Sequence, residues 1–126
     1  MSNLVAAILY LVLHTSVYTQ VEATVYNACP KQTNSDYLTT ADGSKIDTLM
    51  INDLRWVALS RDLLTRWGGN IDYGTKIYVI STDSRISGVW TVRDCMNARF
   101  TNRIDFLQCK YYGIYDKWSN LVVIKL

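Results

Sequence analysis

The sequence predicts a small, mainly β domain: a barrel of six short strands with one or two short helices, preceded by an apolar N-terminal segment. Three observations predict it. Six short runs rich in Val, Ile, Thr, Tyr and Trp recur along the chain, separated by Gly, Asn, Asp and Ser turns. Helical patterning is confined to brief stretches after Ser60 and Gln108, too little to supply the crossover helices of a parallel α/β sheet. The 126 residues, 49% of them hydrophobic, are enough for one domain around one core. Closing the strands into a barrel hides apolar edges that an open sheet would expose.

The elements follow in order. Leu4–Leu13 (LVAAILYLVL) is a ten-residue apolar run, the length of a signal-peptide core and short for a bilayer span. No Lys or Arg precedes it. Val21-Glu22-Ala23 offers small residues for cleavage, and Ser16–Thr19 is an earlier option. The expected division is therefore a signal peptide over 1–23 and a folded domain over 24–126, with a retained anchor or a buried helix as the competing readings. Glu22–Ala28 alternates and reads as the first strand. Cys29–Asp53, rich in Thr, Asn, Asp, Ser and Lys, reads as a long loop with a turn at Asp42-Gly43. Arg55–Leu59 is a second strand. Ser60 reads as the N-cap of a short helix over Arg61–Trp67, stopped by Gly68-Gly69-Asn70. Lys76–Ile80 and Gly88–Arg93 are the third and fourth strands. Arg103–Phe106 resumes extended structure after a loop, Gln108–Trp118 suggests a second short helix, and Leu121–Leu126 closes the fold.

Composition narrows the function. A net charge of +2 with no basic stripe gives no case for nucleic acid. The three cysteines, Cys29, Cys95 and Cys109, show no C-x-x-C spacing, and the single histidine, His14, lies in the expected targeting segment, so no zinc site or cysteine–histidine nucleophile can be assembled. No metal or cofactor is expected. In an exported chain one disulfide and one free thiol are expected, with three pairings open. The expected localisation is the periplasm, cell envelope or extracellular space, as a monomer, from a bacterium or a phage acting on one.

Chemistry concentrates in Val92–Phe106, VRDCMNARFTNRIDF. Asp94 and Asp105 lie eleven residues apart, at the ends of two strand runs. Two carboxylates placed where strands meet loops can face one cleft and perform acid/base chemistry on a glycosidic bond. The plainer reading is a pair of surface acids matched with Arg93 and Arg103.

Four pieces of sequence carry a resemblance. Thr24-Val25-Tyr26 resembles a Thr-Ala-Tyr opening strand. Thr40-Ala41-Asp42-Gly43 resembles a Thr-Ala-small-Gly turn. Trp56-Val57-Ala58-Leu59-Ser60 with Tyr73-Gly74-Thr75-Lys76-Ile77-Tyr78-Val79 resembles "Ala-Val-Asp … Leu-Gly-Thr-Lys-Val-Tyr-Ile". Arg93-Asp94 with Asn102-Arg103-Ile104-Asp105 resembles "Glu-Asp-Thr-Gly-Gly … Gly-Asn-Arg-Ile-Asp". In this order they resemble the Asp-Asp-Asp (3D) domain family of double-psi β-barrels, which includes the barrel of membrane-bound lytic transglycosylase A and belongs with rare lipoprotein A and the expansins. Two departures stand out: Ser60 occupies the place of the family's first aspartate, and Cys95-Met96-Asn97 replaces its Gly-Gly.

The resemblance implies a double-psi barrel acting on the glycan strands of peptidoglycan. It implies cleavage between N-acetylmuramic acid and N-acetylglucosamine with a 1,6-anhydro product. Asp105 is then the general acid/base and Asp94 its partner, with Thr40, Tyr26, Arg103, Asn102 and Ser60 lining the substrate groove. For Asp105 to start protonated its pKa must stand above the free value of about 3.9, so Arg103 is expected to face away from it or to bind substrate. The alternatives are a glycoside hydrolase, in which the two carboxylates stand further apart and activate water, and a glycan-binding module without catalysis, as in the expansin-like relatives; no residue speaks for a third reading, an inhibitor or toxin-like secreted barrel. Trp56, Trp90, Tyr78 and Phe106 are expected in the core, and Arg99 and Lys45 as solvated loop charges.

Overall fold

A computed structural model describes residues 3–6, 18–27, 38–109 and 116–126. Six strands close into a barrel: β1 (Tyr18–Asn27), β2 (Trp56–Leu59), β3 (Lys76–Ile80), β4 (Gly88–Cys95), β5 (Arg103–Gln108) and β6 (Trp118–Lys125). Their order around the barrel is β1-β5-β2-β4-β3-β6, and β6 returns to β1. Two pairs, β1/β5 and β2/β4, run parallel, and the others are antiparallel. The molecule is thus the mainly β, six-stranded double-psi barrel that the sequence predicts.

Period-two alternation explains the wall. On β5, Ile104 and Phe106 point inward and are fully buried, so Arg103 and Asp105 point outward. On β1, Val21 and Ala23 face the core, leaving Glu22, Thr24 and Tyr26 on the other face. The core is filled by Val57, Leu59, Ile77, Val79, Val92 and the ring pair Trp90–Phe106, whose centroids are 4.5 Å apart. Trp118 meets Phe106 edge-on at 5.6 Å. Burying two large rings at the barrel centre contributes several kcal/mol, on the order of 2 kcal/mol for each side chain.

The strand limits differ from the sequence reading in ways packing explains. β1 begins at Tyr18, and its first residues pair with β6 from Tyr18↔Ile124 to Val21↔Leu121. The stretch read as the end of a leader therefore contains barrel wall. The helix expected over Arg61–Trp67 is two separate 3-10 turns, Arg61–Leu63 and Thr65–Trp67. Leu64 between them is extended (φ −91°, ψ 138°) and 1% exposed, because the core claims its side chain and its backbone bridges to Ile71. Gly69 is required there, since a Cβ would sit 2.2 Å from the Leu63 carbonyl carbon. A helical turn, α1 (Ile51–Leu54), arises inside the expected loop. It ends at Arg55, which is left-handed (φ 54°) rather than part of β2. The Arg55 guanidinium lies 4.0 Å from the Trp90 ring centroid and donates to the carbonyls of Arg85, Ser87 and Val89. Gln108 belongs to β5 and Trp118 to β6; the interior of the second expected helix falls outside the described residues.

Residues 38–54 pack on the outside of the barrel. Ile46 and Ile51 form a small second cluster with Leu107, joined by Tyr26, Leu38, Leu54, Trp56 and Cys109. This layer gives the outer face of β1-β5-β2-β4 a side wall.

Most of the apolar run Leu4–Leu13, with His14 and Cys29, lies outside the described residues. Among the described residues no helix is long and apolar enough to cross a membrane. Cys95 and Cys109 are free thiols, so the expected disulfide is not formed between these two.

Candidate functional site

The backbone register lines up four residues across four strands. Thr24 on β1 pairs with Asp105 on β5, Asp105 with Ala58 on β2, and Ala58 with Asp94 on β4. Asp105 and Asp94 are thus two strands apart, with backbones about 10 Å from each other. Ala58, itself buried, lies between them.

Asp105 is largely withdrawn from water. Burial raises its pKa to about 6, assisted by the charge of Asp94 and opposed by the Thr24 hydrogen bond and the Arg103 charge. The Thr24 hydroxyl donates to Asp105 Oδ1 at 2.6 Å. That contact leaves Oδ2 as the oxygen on which a transferable proton can sit.

Asp94 is held differently. Its Oδ1 accepts the backbone N–H groups of Ala41 and Cys95, each at 2.9 Å, and its Oδ2 accepts the Tyr26 hydroxyl at 3.4 Å. Burial raises its pKa, and the two N–H donors and the phenol work against that rise. Asp94 is the anchored carboxylate of the pair. Burial first, then the charges of Asp94 and Asp105, push the pKa of Tyr26 well above the usual phenol value. It remains a neutral donor.

A third carboxylate, Asp42, builds the wall beside Asp94. Although burial pushes its pKa up, hydrogen bonds from Thr40, Ser44 and Arg93 outweigh this and hold it below the usual value. Thr40 Oγ1 donates to Asp42 Oδ1 at 2.6 Å, the Ser44 N–H donates to the same oxygen at 2.9 Å, and Arg93 Nη1 reaches Oδ2 at 3.3 Å. The Asp42 N–H donates to the Arg93 carbonyl at 3.2 Å. The turn 40–44 is therefore riveted to β4, which is why the Ala41 N–H faces Asp94.

The expected groove residues divide. Tyr26 joins the acid pair. Thr40 is 4% exposed with its hydroxyl turned to Asp42, so it shapes the turn and does not present itself to a groove. Ser60 is fully buried; its hydroxyl accepts the Arg103 N–H at 3.0 Å and its own N–H donates to the Arg103 carbonyl at 2.8 Å. It fixes the start of β5 and cannot reach a ligand. Arg103 pairs with Glu22 at 3.0 Å, and Asn102 is an exposed, left-handed residue (φ 52°) whose N–H donates to both Asp62 oxygens. Both sit beyond Asp105 at the start of β5. Met96 is buried.

Thr24, Asp42 and Ala58 were not singled out as site residues from sequence. Alternation on β1 offered a signal for Thr24, since it shares a face with Tyr26. Asp42 offered none, because its partner Arg93 is distant in the chain. Among the described residues, no three acidic, cysteine or histidine side chains gather as a metal site.

The comparisons support the barrel and stop there. No family model matches the sequence, and no curated protein does. Among solved structures, a Streptomyces papain inhibitor is similar to this chain with a TM-score of 0.56 and 17% identity, covering 90% of this chain and 97% of the inhibitor. At that identity the likeness concerns the fold.

Proposed function

We propose that the protein is a peptidoglycan lytic transglycosylase, working outside the cytoplasm on the bond between N-acetylmuramic acid and N-acetylglucosamine. The observation that carries this reading is Asp105: a buried outward-facing carboxyl with a pKa of about 6, one oxygen held by Thr24 and a second acid across Ala58. A general acid works best with a pKa near the operating pH.

The chemistry needs one proton carrier used twice. Protonated Asp105 gives its proton to the glycosidic oxygen, the C1–O bond breaks, and N-acetylglucosamine leaves with a new hydroxyl at O4. Asp105, now ionised, takes the proton of the C6 hydroxyl of the same muramic acid. O6 closes on C1 to give the 1,6-anhydro ring and returns Asp105 to its protonated form. No water is consumed. Anchored Asp94 supplies negative charge opposite the positive charge that develops at C1, and Tyr26 holds it there.

A second reading is a glycan-binding barrel without catalysis. What favours it is Ser60, which stands where the resembled family has its first acid and is closed inside the wall.

Incubation of the purified chain with peptidoglycan sacculi separates the two. The expected result is release of 1,6-anhydro muropeptides, detected by mass spectrometry. Binding to sacculi without anhydro product would overturn the transglycosylase reading and leave the binding module. If the chain neither cleaves nor binds, inhibition of papain, the activity in the neighbour's name, becomes the next assay.

A further inference from the structure

The start of β5 carries a second feature, on the same outward face as Asp105. A cavity of about 370 Å³ is lined by Glu22, Arg99, Phe100, Thr101, Asn102 and Arg103. Arg103 and Asp105 are two residues apart on one strand, so the cavity opens about 7 Å along β5 from the acid.

Its charges do not cancel. The Arg99 and Arg103 guanidiniums both stack on Phe100, at 4.7 Å and 5.0 Å from the ring centroid. Glu22 pairs with Arg103. Arg99 has no acidic partner among the described residues. Two cations are thus drawn to one ring with a single carboxylate between them, which leaves one positive charge unanswered beside a polar cavity.

The loop that presents them is built in place. The Asn97 side chain accepts the Arg99 N–H at 3.1 Å, and its carbonyl accepts the Phe100 N–H at 3.0 Å. Asp62 caps the Asn102 N–H through both oxygens, at 3.0 Å and 3.2 Å. Asp62 is occupied in this way and does not serve Arg99. A site held by its own hydrogen bonds loses little entropy when a ligand arrives.

We infer that this cavity is a carboxylate subsite for the peptide stem of peptidoglycan, with Arg99 as its charge donor, Arg103 as the second guanidinium and the Asn102 and Thr101 side chains facing the peptide groups. The inference rests on the murein reading above. A neutral sugar has no use for an unpaired guanidinium, whereas the peptide stem ends in carboxylates and hangs from the same muramic acid whose C1 faces Asp105. A charge-assisted, two-guanidinium contact fits one such carboxylate.

Binding tests it without requiring turnover. Binding of the full chain is measured with soluble glycan strands that keep their stem peptides, and with the same strands stripped of them by an amidase, the lactyl carboxylates so freed being capped as methyl amides. Peptide-bearing material is expected to bind about tenfold tighter, as one charge-assisted contact implies. Arg99→Gln should bring that ratio close to one, and Arg99→Lys should restore part of it. Equal binding of both materials by the unsubstituted chain, or a ratio that Arg99→Gln leaves intact, overturns the subsite. Anhydro product formed from stripped glycan together with equal binding would sink the subsite alone; a peptide-dependent ratio without any product would sink the transglycosylase reading alone.

Discussion

Thr24 donates its hydroxyl to Asp105 at 2.6 Å across the parallel pairing of β1 and β5. This bond favours the ionised carboxyl, so the elevated pKa of Asp105 exists in spite of it and is caused by burial. Thr24→Val keeps the shape and removes the donor. The pKa of Asp105 should then climb by roughly one unit, since a hydrogen bond to a charged group is worth about 1.5–3 kcal/mol. Carbon-13 titration of the Asp105 carboxyl measures it, and a downward shift would contradict the role given to Thr24.

Asp105 also sets a pH dependence in two observables. In the proposed reaction Asp105 is the general acid and must start protonated, so activity should fall as pH rises through about 6. Stability should follow the same group. Its folded pKa stands above its unfolded value of about 3.9, so the folded state holds the proton more tightly. Ionising it therefore destabilises the fold, increasingly as pH rises from about 4 to about 6 and fully above that. A gap of about 2 units corresponds to an order-of-magnitude cost of 3 kcal/mol. Asp105→Asn should lower turnover by roughly 10²-fold or more. It should also unfold at a higher denaturant concentration than the parent at pH 7, with the difference disappearing near pH 4. Urea titrations at the two pH values check this; a variant less stable at pH 7 would refute the burial argument.

Ser60 is a structural residue wherever the resembled family has an acid. Its hydroxyl is the acceptor for the Arg103 N–H, and no water reaches it. Ser60→Ala should cost about 1–2 kcal/mol by stranding that donor. Ser60→Asp should cost more, because it places a carboxylate inside a closed wall. Thermal unfolding of both variants gives the ranking, and an equally stable, more active Ser60→Asp would show that the position still belongs to the site.

How far the sequence could be read follows from which forces act locally. β3 and β4 were legible because their alternation, KIYVI and GVWTVR, mirrors the inside and outside of a barrel wall. The two acids were expected at strand ends; Asp94 is the last residue but one of β4, whereas Asp105 lies inside β5, which runs on to Gln108. The segment after Ser60 was misread as helix because its local pattern suits one, whereas Leu64 answers to the core and to Ile71. The start of β1 was hidden because Tyr18–Val21 falls where a cleavage site was expected, and its partner β6 lies at the other end of the chain. Asp42 was invisible for the same reason: a turn carboxylate announces the turn and is silent about Arg93, with which it pairs only in the folded chain.

Asp42 should matter to stability with the opposite sign in pH. Its pKa is held below the ordinary value, so its contribution is present above the unfolded pKa and is lost as pH falls through the lower folded one. Asp42→Asn removes the ion pair with Arg93 and weakens the contacts to Thr40 and Ser44. The expected cost is about 1–2 kcal/mol at neutral pH, with faster hydrogen exchange at the Ser44 and Ala41 amides. Unchanged exchange at Ala41 would mean that the turn reaches Asp94 without help from Asp42.

The last prediction concerns where the fold begins. Val21 and Ala23 are 2% and 1% exposed, and the first half of β1 is the seam that closes the barrel against β6. Removing residues 1–17 leaves this seam whole. Removing residues 1–23 deletes both core side chains and the ladder from Tyr18↔Ile124 to Val21↔Leu121, leaving β6 with an open edge. Lost burial of Val21 alone is worth about 1.5–3 kcal/mol, and the lost ladder adds to it. In a marginally stable small domain that should abolish cooperative unfolding or produce aggregates. A cut between Val21 and Thr24 would remove this seam, so if the chain is exported and processed, as proposed, the N-terminus of the product, read by mass spectrometry, should lie at or before Tyr18. A well-folded product starting at Thr24 would show that β1 needs only its second half.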